Sequence, residues 1–293
     1  METIKLRNGV EMPVFGLGAS IIPKCEFRVK FGGKIEGSEA AQRQFEMYEH
    51  CIKSYNGLMY DVSPSYGMTE QVLGAAIKHT RKRRDMFIAL KISNAEQRRG
   101  DVTAAFEKHL KVLCTDYVDL LLLHWPNPDT FIQSYKVLEN IYDSGRAKAI
   151  GMSNCHEHHL KALMEATSVV PMVNQIEVHP LFTNAPLRAY CESLGIKVMA
   201  YSPLGRMHDV LMKNKVLRAL AAKHKNTVPQ IILRWDIDSG MAAIPRTLSP
   251  KHFAEVLDVL NFSLTDEEIT AIDGVNENVR LRFNPDTVDY NLV

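Results

Sequence analysis

The chain has 293 residues, of which 46% are hydrophobic and 24% charged, with a formal net charge of +1. These are ordinary values for a water-soluble protein, and so balanced a charge gives no electrostatic case for nucleic acid or a membrane surface. A small neutral or mixed-charge ligand is expected instead. The five cysteines (Cys25, Cys51, Cys114, Cys155 and Cys191) are scattered, odd in number and free of a CxxC pair, which argues against a disulfide framework and a zinc site and for a reducing cytoplasm. The first residues, Met-Glu-Thr-Ile-Lys, show no basic stretch followed by an apolar one, and no run of about 18 apolar residues occurs, so neither a leader nor a membrane span is expected.

Taken in order, the chain opens with an Asn8-Gly9 turn between short alternating segments, the mark of a small hairpin. Val14 to Gly18 reads as a short buried strand, and Ile21 to Gly37 as a long loop. From Ser38, the apolar residues Phe45, Tyr48, Ile52 and Tyr55 recur at helical spacing until Asn56-Gly57 stops the helix before a strand from Leu58 to Asp61. The alternation then repeats. Helices are predicted near 69–80, 102–112, 130–142, 157–166 and 185–193, with helical text over 213–237. The intervening strands are predicted at 86–91, 117–124, 147–151, 172–176, 197–201 and 241–244. Eight strand candidates, each followed by helical text, imply parallel strands with right-handed crossovers. A run such as Val118-Asp-Leu-Leu-Leu-Leu123 suits a sheet buried on both faces. With no linker dividing residues 1–293, the expectation is one α/β domain, a (β/α)8 barrel preceded by a hairpin.

Polar residues fall at the C-terminal ends of these strands: Asp61 with Tyr66 just beyond, Lys91, and His124. In a barrel those ends ring one cavity, so groups distant in sequence come within hydrogen-bonding reach. An isolated Asp–Lys pair is usually structural. Four such groups at consecutive strand ends are harder to explain that way. A phenol titrating near about 10 is a poor acid at neutral pH, but an adjacent ammonium lowers that value, and Asp61 would hold the Lys91 charge in place. Tyr66 would then act as general acid while His124 hydrogen-bonds a carbonyl oxygen, a set suited to reducing a carbonyl or oxidising an alcohol.

The ordered motifs resemble those of the aldo-keto reductases over nearly the whole chain. They are Gly16-Leu-Gly18, Asp61 with Tyr66-Gly67 and Glu70, Lys91, Leu121-Leu-Leu-His124-Trp125-Pro126, Ile150-Gly-Met-Ser153-Asn154, Asn174-Gln175-Ile-Glu-Val-His179-Pro180, Ala200-Tyr201-Ser-Pro-Leu204-Gly205 and Ile244-Pro245-Arg246-Thr247. The resemblance implies a catalytic tetrad of Asp61, Tyr66, Lys91 and His124. It implies further that Ser153, Asn154 and Gln175 hold a nicotinamide carboxamide, that Tyr201 stacks on the ring, and that Ser202 and Leu204 belong to a pyrophosphate loop. Arg246 and Thr247 match the pair that contacts an adenosine 2′-phosphate, which favours NADPH over NADH. Glu255 fits the usual adenosine cluster, whereas His252 stands where the family commonly has a second arginine and Val256 where a polar residue is usual. That departure predicts weaker NADPH affinity or weaker selectivity against NADH. The first barrel loop has Ala19-Ser20 where many members carry an aromatic, so the carbonyl substrate is the least transferable feature. The segment from Gly274 to Val293 is expected over the barrel mouth, where with the 21–37 loop it would select substrates.

His156-Glu157-His158-His159 resembles the zinc motif HExxH, but Leu160 puts the second histidine out of register. The stretch reads instead as a polar helix start, with Asn154 as N-cap and Glu157 as its capping-box partner, and no metal is expected. Arg81-Lys-Arg-Arg84 reads as a solvated loop. No GxGxxG follows a strand, so a Rossmann nucleotide site has no support. A monomer or weak homo-oligomer acting on a small carbonyl compound is the expectation. The rival reading is a cofactor-binding regulatory subunit of the same fold, against which the intact tetrad argues.

Overall fold

The computed structural model describes residues 1–29 and 35–293. Strands β1 (Thr3–Lys5) and β2 (Glu11–Pro13) pair antiparallel, Thr3 opposite Pro13, around a turn in which Gly9 takes φ +89°. After β3 (Gly16–Gly18) comes a short antiparallel ribbon of β4 (Arg28–Val29) and β5 (Ile35–Glu36). The alternation follows: α1 (Glu39–Ser54), β6 (Leu58–Val62), α2 (Thr69–Thr80), β7 (Met86–Ile92), α3 (Asn94–Arg99), α4 (Val102–Val112), β8 (Leu120–Leu123), α5 (Phe131–Asp143), β9 (Ile150–Ser153), α6 (Glu157–Ala166), β10 (Val173–Glu177) and α7 (Ala185–Ser193). The rest are β11 (Lys197–Tyr201), α8 (Asp209–Lys213), α9 (Lys215–His224), α10 (Val228–Asp238), β12 (Ala242–Ala243), α11 (Pro250–Leu257) and α12 (Asp266–Asp273).

Eight parallel strands lie in the order β12, β11, β10, β9, β8, β7, β6, β3, and a parallel bridge from Phe15 to Ala243 joins the two edges, closing the sheet. This is the (β/α)8 barrel read from the alternation. Side chains alternate along each strand, so every second residue points inward. Met59, Phe87, Ala89, Leu120, Leu122, Ala149, Val173, Met199 and Ala242 fill the lower barrel, and Leu6 and Met12 of the hairpin plug its floor. Further up the same strands, by two residues or, from Ala149, by four, the inward positions become Asp61, Lys91, His124, Ser153, Gln175 and Tyr201. One periodicity thus produces both an apolar floor and a polar mouth.

Several local expectations are corrected. The strand expected over 117–124 is regular only at Leu120–Leu123, with an isolated bridge at Val118, and the one expected over 147–151 sits at Ile150–Ser153. The helical text of 213–237 is broken twice, because Asn214 caps α9 with its side chain, Lys225 is left-handed, and Thr227 and Gln230 form a capping box for α10. Arg83, expected to be solvated, instead donates to Thr115 Oγ1 (2.9 Å), Met86 O (3.1 Å), Tyr117 O (3.0 Å) and Asp119 Oδ2 (2.8 Å), pinning the underside of the barrel. Of the loop expected over 21–37, residues 30–34 lie outside the described residues. The remainder contains the β4–β5 ribbon and a bridge from Ile22 to Gly67.

Candidate active site

The mouth of the barrel brings Asp61, Tyr66, Lys91 and His124 together. Lys91, fully buried, donates to Asp61 Oδ1 at 2.5 Å, and the same oxygen accepts from Gln175 Nε2 at 2.8 Å. The Lys91 ammonium lies 4.9 Å from the centroid of the Tyr66 ring, and the Tyr66 and His124 rings meet edge-on at 5.6 Å. Tyr66 sits in a 3-10 turn (Pro64–Tyr66) whose N-cap, Ser63, accepts from Ser65 N. Ser63 Oγ also lies 3.1 Å from His124 Nδ1, tying the turn of Tyr66 to the end of β8.

Backbone bonds fix the turn from the other side. Ile22 N donates to Tyr66 O (3.1 Å), and Met68 N donates to Ile22 O (2.9 Å). Gly67 between them takes φ +70°, and a Cβ there would fall 1.8 Å from Ile22 O, so no other residue fits without moving the strap.

Burial sets the protonation states. It pushes the Tyr66 phenol up; Lys91 and Arg282 pull it back without cancelling the rise, so the expected net lowering by lysine is not what the structure produces. Tyr66 is therefore a protonated phenol at neutral pH. Burial opposes the charge on Lys91, but Asp61 and Tyr66 overcome it and raise its pKa. His124 is driven well below the usual imidazole value by burial, with Lys91 and Arg282 adding to the effect, so it is neutral.

Beside these four, Ser153 Oγ donates to Gln175 O (2.9 Å), Asn154 Nδ2 donates to His124 O (3.0 Å) and to Ser153 Oγ (3.1 Å), and Tyr201 OH donates to Asn154 Oδ1 (2.7 Å). Asn154 is left-handed (φ +63°) and spends its side chain on this network. The expected cap role of Asn154 and Glu157 is thus corrected: His156 is the N-cap of α6, and its N–H donates to His159 Nδ1. Ser202 is left-handed (φ +51°) and opens the turn closed by Gly205 N on Ser202 O (2.8 Å), with Leu204 half-buried inside it.

Arg246, Thr247, His252 and Glu255 form a separate group just past β12. Gly18 N donates to Pro245 O (2.9 Å), which holds the start of this segment beside the end of β3. Arg246 is exposed, Thr247 Oγ1 accepts from Ser249 N, and Ser249 caps α11 by accepting from His252 N. Glu255 faces solvent, with Lys251 4.0 Å away. Among the described residues, no side-chain hydrogen bond or ion pair links this rim to the tetrad.

The segment after α12 crosses the mouth, as expected. Leu281 N and Arg282 N donate to the buried Glu177 carboxylate (2.7 and 3.1 Å), Tyr290 packs edge-on against Trp125, and Asn94 Nδ2 donates to Val293 O (2.8 Å). His156 Nδ1 lies 2.8 Å from Asp286, and Arg280 donates to His156 Nε2 at 3.1 Å. Donor atoms of His156, His159 and Asp286 fall within 4.8 Å of one another. A guanidinium on one imidazole and a backbone N–H on another leave the ring protons facing Asp286, an arrangement that suits a hydrogen-bonded latch better than a cation. Ser63, Glu177 and Ile22 are site-building residues that pattern reading missed. The one available signal was Ser63 two residues beyond a strand-end acid.

A family model described as the Aldo/keto reductase family matches residues 29–277. The chain is 39% identical over 286 residues to the glyoxal reductase of Bacillus subtilis, covering 97% of this chain and 96% of that protein. Among solved structures, an aldo-keto reductase from a Medee basin deep-sea metagenome library superposes with TM-score 0.87 at 33% identity, over 98% of this chain and 100% of that one. A Bombyx mori aldo-keto reductase in complex with NADP gives TM-score 0.82 at 30% identity, over 97% and 95%. With barrel, site and relatives in agreement, the chain belongs to the aldo-keto reductase family and is an enzyme.

Proposed function

We propose that the protein reduces a small aldehyde or ketone to an alcohol with NADPH, Tyr66 donating the proton, within a single catalytic domain spanning 1–293. The observation that carries this reading is the buried Gln175–Asp61–Lys91 chain ending beneath a protonated phenol, with a neutral imidazole alongside. Asp61 holds the Lys91 charge in place, and that charge supports the phenolate left after Tyr66 gives up its proton. Ser63 Oγ, already accepting from Ser65 N, is free to donate its hydrogen to His124 Nδ1, so that Nε2 carries the ring proton and serves as a second donor to the carbonyl oxygen.

The chain's donor set fits a nicotinamide dinucleotide. Ser153, Asn154 and Gln175 offer a hydroxyl and two carboxamides beside the Tyr201 ring, a match for a carboxamide carried on a flat heterocycle. Arg246 makes no ion pair among the described residues and, with Thr247 and the start of α11, suits a 2′-phosphate. When bound, the reduced cofactor supplies a hydride to the carbonyl carbon. The NADP complex of the Bombyx mori relative and the substrate named for the Bacillus subtilis relative support this choice of partners. The five unpaired cysteines favour a reducing cytoplasm. The test is fluorescence titration with NADPH and NADH, followed by absorbance of the reduced nicotinamide on adding glyoxal and other small carbonyl compounds. Preferred NADPH binding with oxidation on adding a carbonyl is expected. Binding without turnover across the panel would return weight to the regulatory-subunit reading.

A further inference from the structure

A second concentration of buried charge lies behind the barrel wall, between α2, α3 and α4. His109, on the buried face of α4, is engaged at both ring nitrogens: Nδ1 lies 2.8 Å from Glu70 Oε2 and Nε2 lies 2.9 Å from Glu96 Oε1. All three side chains are buried. An ionised carboxylate only accepts, and a neutral imidazole has a single N–H, so satisfying both acids requires a ring protonated at both nitrogens. The charge on His109 is what lets two carboxylates occupy one dry space.

The two acids belong to the segments that carry the tetrad. Glu70 stands four residues beyond Tyr66 in the first turn of α2, where Thr69 Oγ1 donates to Tyr66 O (3.3 Å). The other Glu70 oxygen is buried and unpartnered, so His109 is its carboxylate's hydrogen-bond anchor among the described residues. Glu96 accepts from Ser93 N (2.9 Å) and Ser93 Oγ (2.8 Å), two residues beyond Lys91. Its neighbour Gln97 donates to Trp125 O (3.2 Å), one residue beyond His124. α3 is therefore a bracket resting on two strand ends, and His109 ties that bracket to the helix that begins at Tyr66. Arg99, 3.9 Å from Glu96, is the remaining charged side chain at ion-pair distance from the cluster; α5 and β7, also packed on α4, contribute no ion-pair partner among the described residues.

We infer that His109 is a positioning residue for the reaction, fixing the segment of Tyr66 relative to those of Lys91 and His124. The inference rests on the reductase reading above. Burial pulls the His109 pKa down, but Glu70 and Glu96 outweigh it and hold it at about 9. Because the folded value lies above the ordinary one, the clamp is complete below about 6.5 and is lost as pH rises through about 9. Tyr66 is itself pushed above the ordinary phenol value, and a limb that moves with the His109 ring in Glu70→Gln is what distinguishes the clamp from the phenol.

The experiment measures kcat with glyoxal, and the NADPH Kd, as functions of pH for the native protein, Glu70→Gln and His109→Gln. Gln at position 70 keeps an acceptor for the ring but removes one charge. Its alkaline limb in kcat should move to lower pH by about one unit or more, in step with the His109 ring titration followed by NMR. His109→Gln should lose about tenfold or more in kcat while its NADPH Kd stays within about twofold. A limb that stays put in Glu70→Gln while the ring titration moves would overturn the inference, as would a folded His109→Gln with native kcat. Should His109→Gln fail to fold, Glu70→Gln alone decides. Native protein that oxidises no NADPH with any carbonyl overturns the reductase reading and this inference with it, a result distinct from native turnover with indifferent variants.

Discussion

The two polar regions at the barrel mouth are built on opposite principles. Around Lys91, charged and hydrogen-bonding groups are buried, and Asp61 serves both Lys91 and Gln175. Around Arg246, the charged side chains stand in solvent, and the rim is held by a backbone bond to Pro245 O and by the Thr247 and Ser249 hydroxyls accepting from backbone N–H groups. A low-dielectric cluster fixed in advance can stabilise developing charge without reorganising, whereas a solvated rim adds attraction for an anion that salt can screen. The proposed function places the chemistry in the first and cofactor choice in the second.

Breaking the buried region should cost most. Tyr66→Phe, which keeps the ring and loses the hydroxyl, should lower kcat by about 10² to 10⁴ while NADPH titration shows binding retained; near-native turnover would remove Tyr66 from its role. Asp61→Asn leaves the Lys91 ammonium buried without its counter-charge and should destabilise the fold by about 3–5 kcal/mol, read from denaturant midpoints. At the rim, Arg246→Ala should weaken NADPH about ten- to a hundredfold with NADH nearly unchanged, and added salt should shrink the difference between the cofactors. Equal losses for both would place the 2′-phosphate elsewhere. The smallest effect is expected at the latch, where Asp286→Asn should change stability by less than about 1 kcal/mol, because the pair is partly exposed; a larger change in the thermal midpoint would mean the latch carries the tail by itself.

The barrel and its polar mouth were legible because both follow from one period. Alternation places Met59 and Asp61, or Ala89 and Lys91, on the same inward line, so reading the strands also reads the site. What stayed hidden depends on contacts between distant segments. α3 has only six residues and is stabilised by a Ser93–Glu96 capping box and by Trp125 and Val293, too short for any periodicity to mark it. Asn154 has the composition of a cap, but the neighbouring strand end and Tyr201 compete for its amide and win. The net direction of the Tyr66 shift differs from the expectation because burial, invisible in a string of letters, outweighs the nearby lysine.

The strap between Ile22 and Tyr66 bears on how such a protein could change its diet. Its two bonds run from backbone to backbone and are indifferent to which side chain occupies position 22, while Gly67 alone is locked in identity. Ile22 itself is fully buried in the core, so sequence drift is open to exposed neighbours such as Ile21, while the backbone ladder keeps Tyr66 in register. A single short ladder of amides thus divides the exposed positions, where sequence is free to vary, from the turn that holds Tyr66.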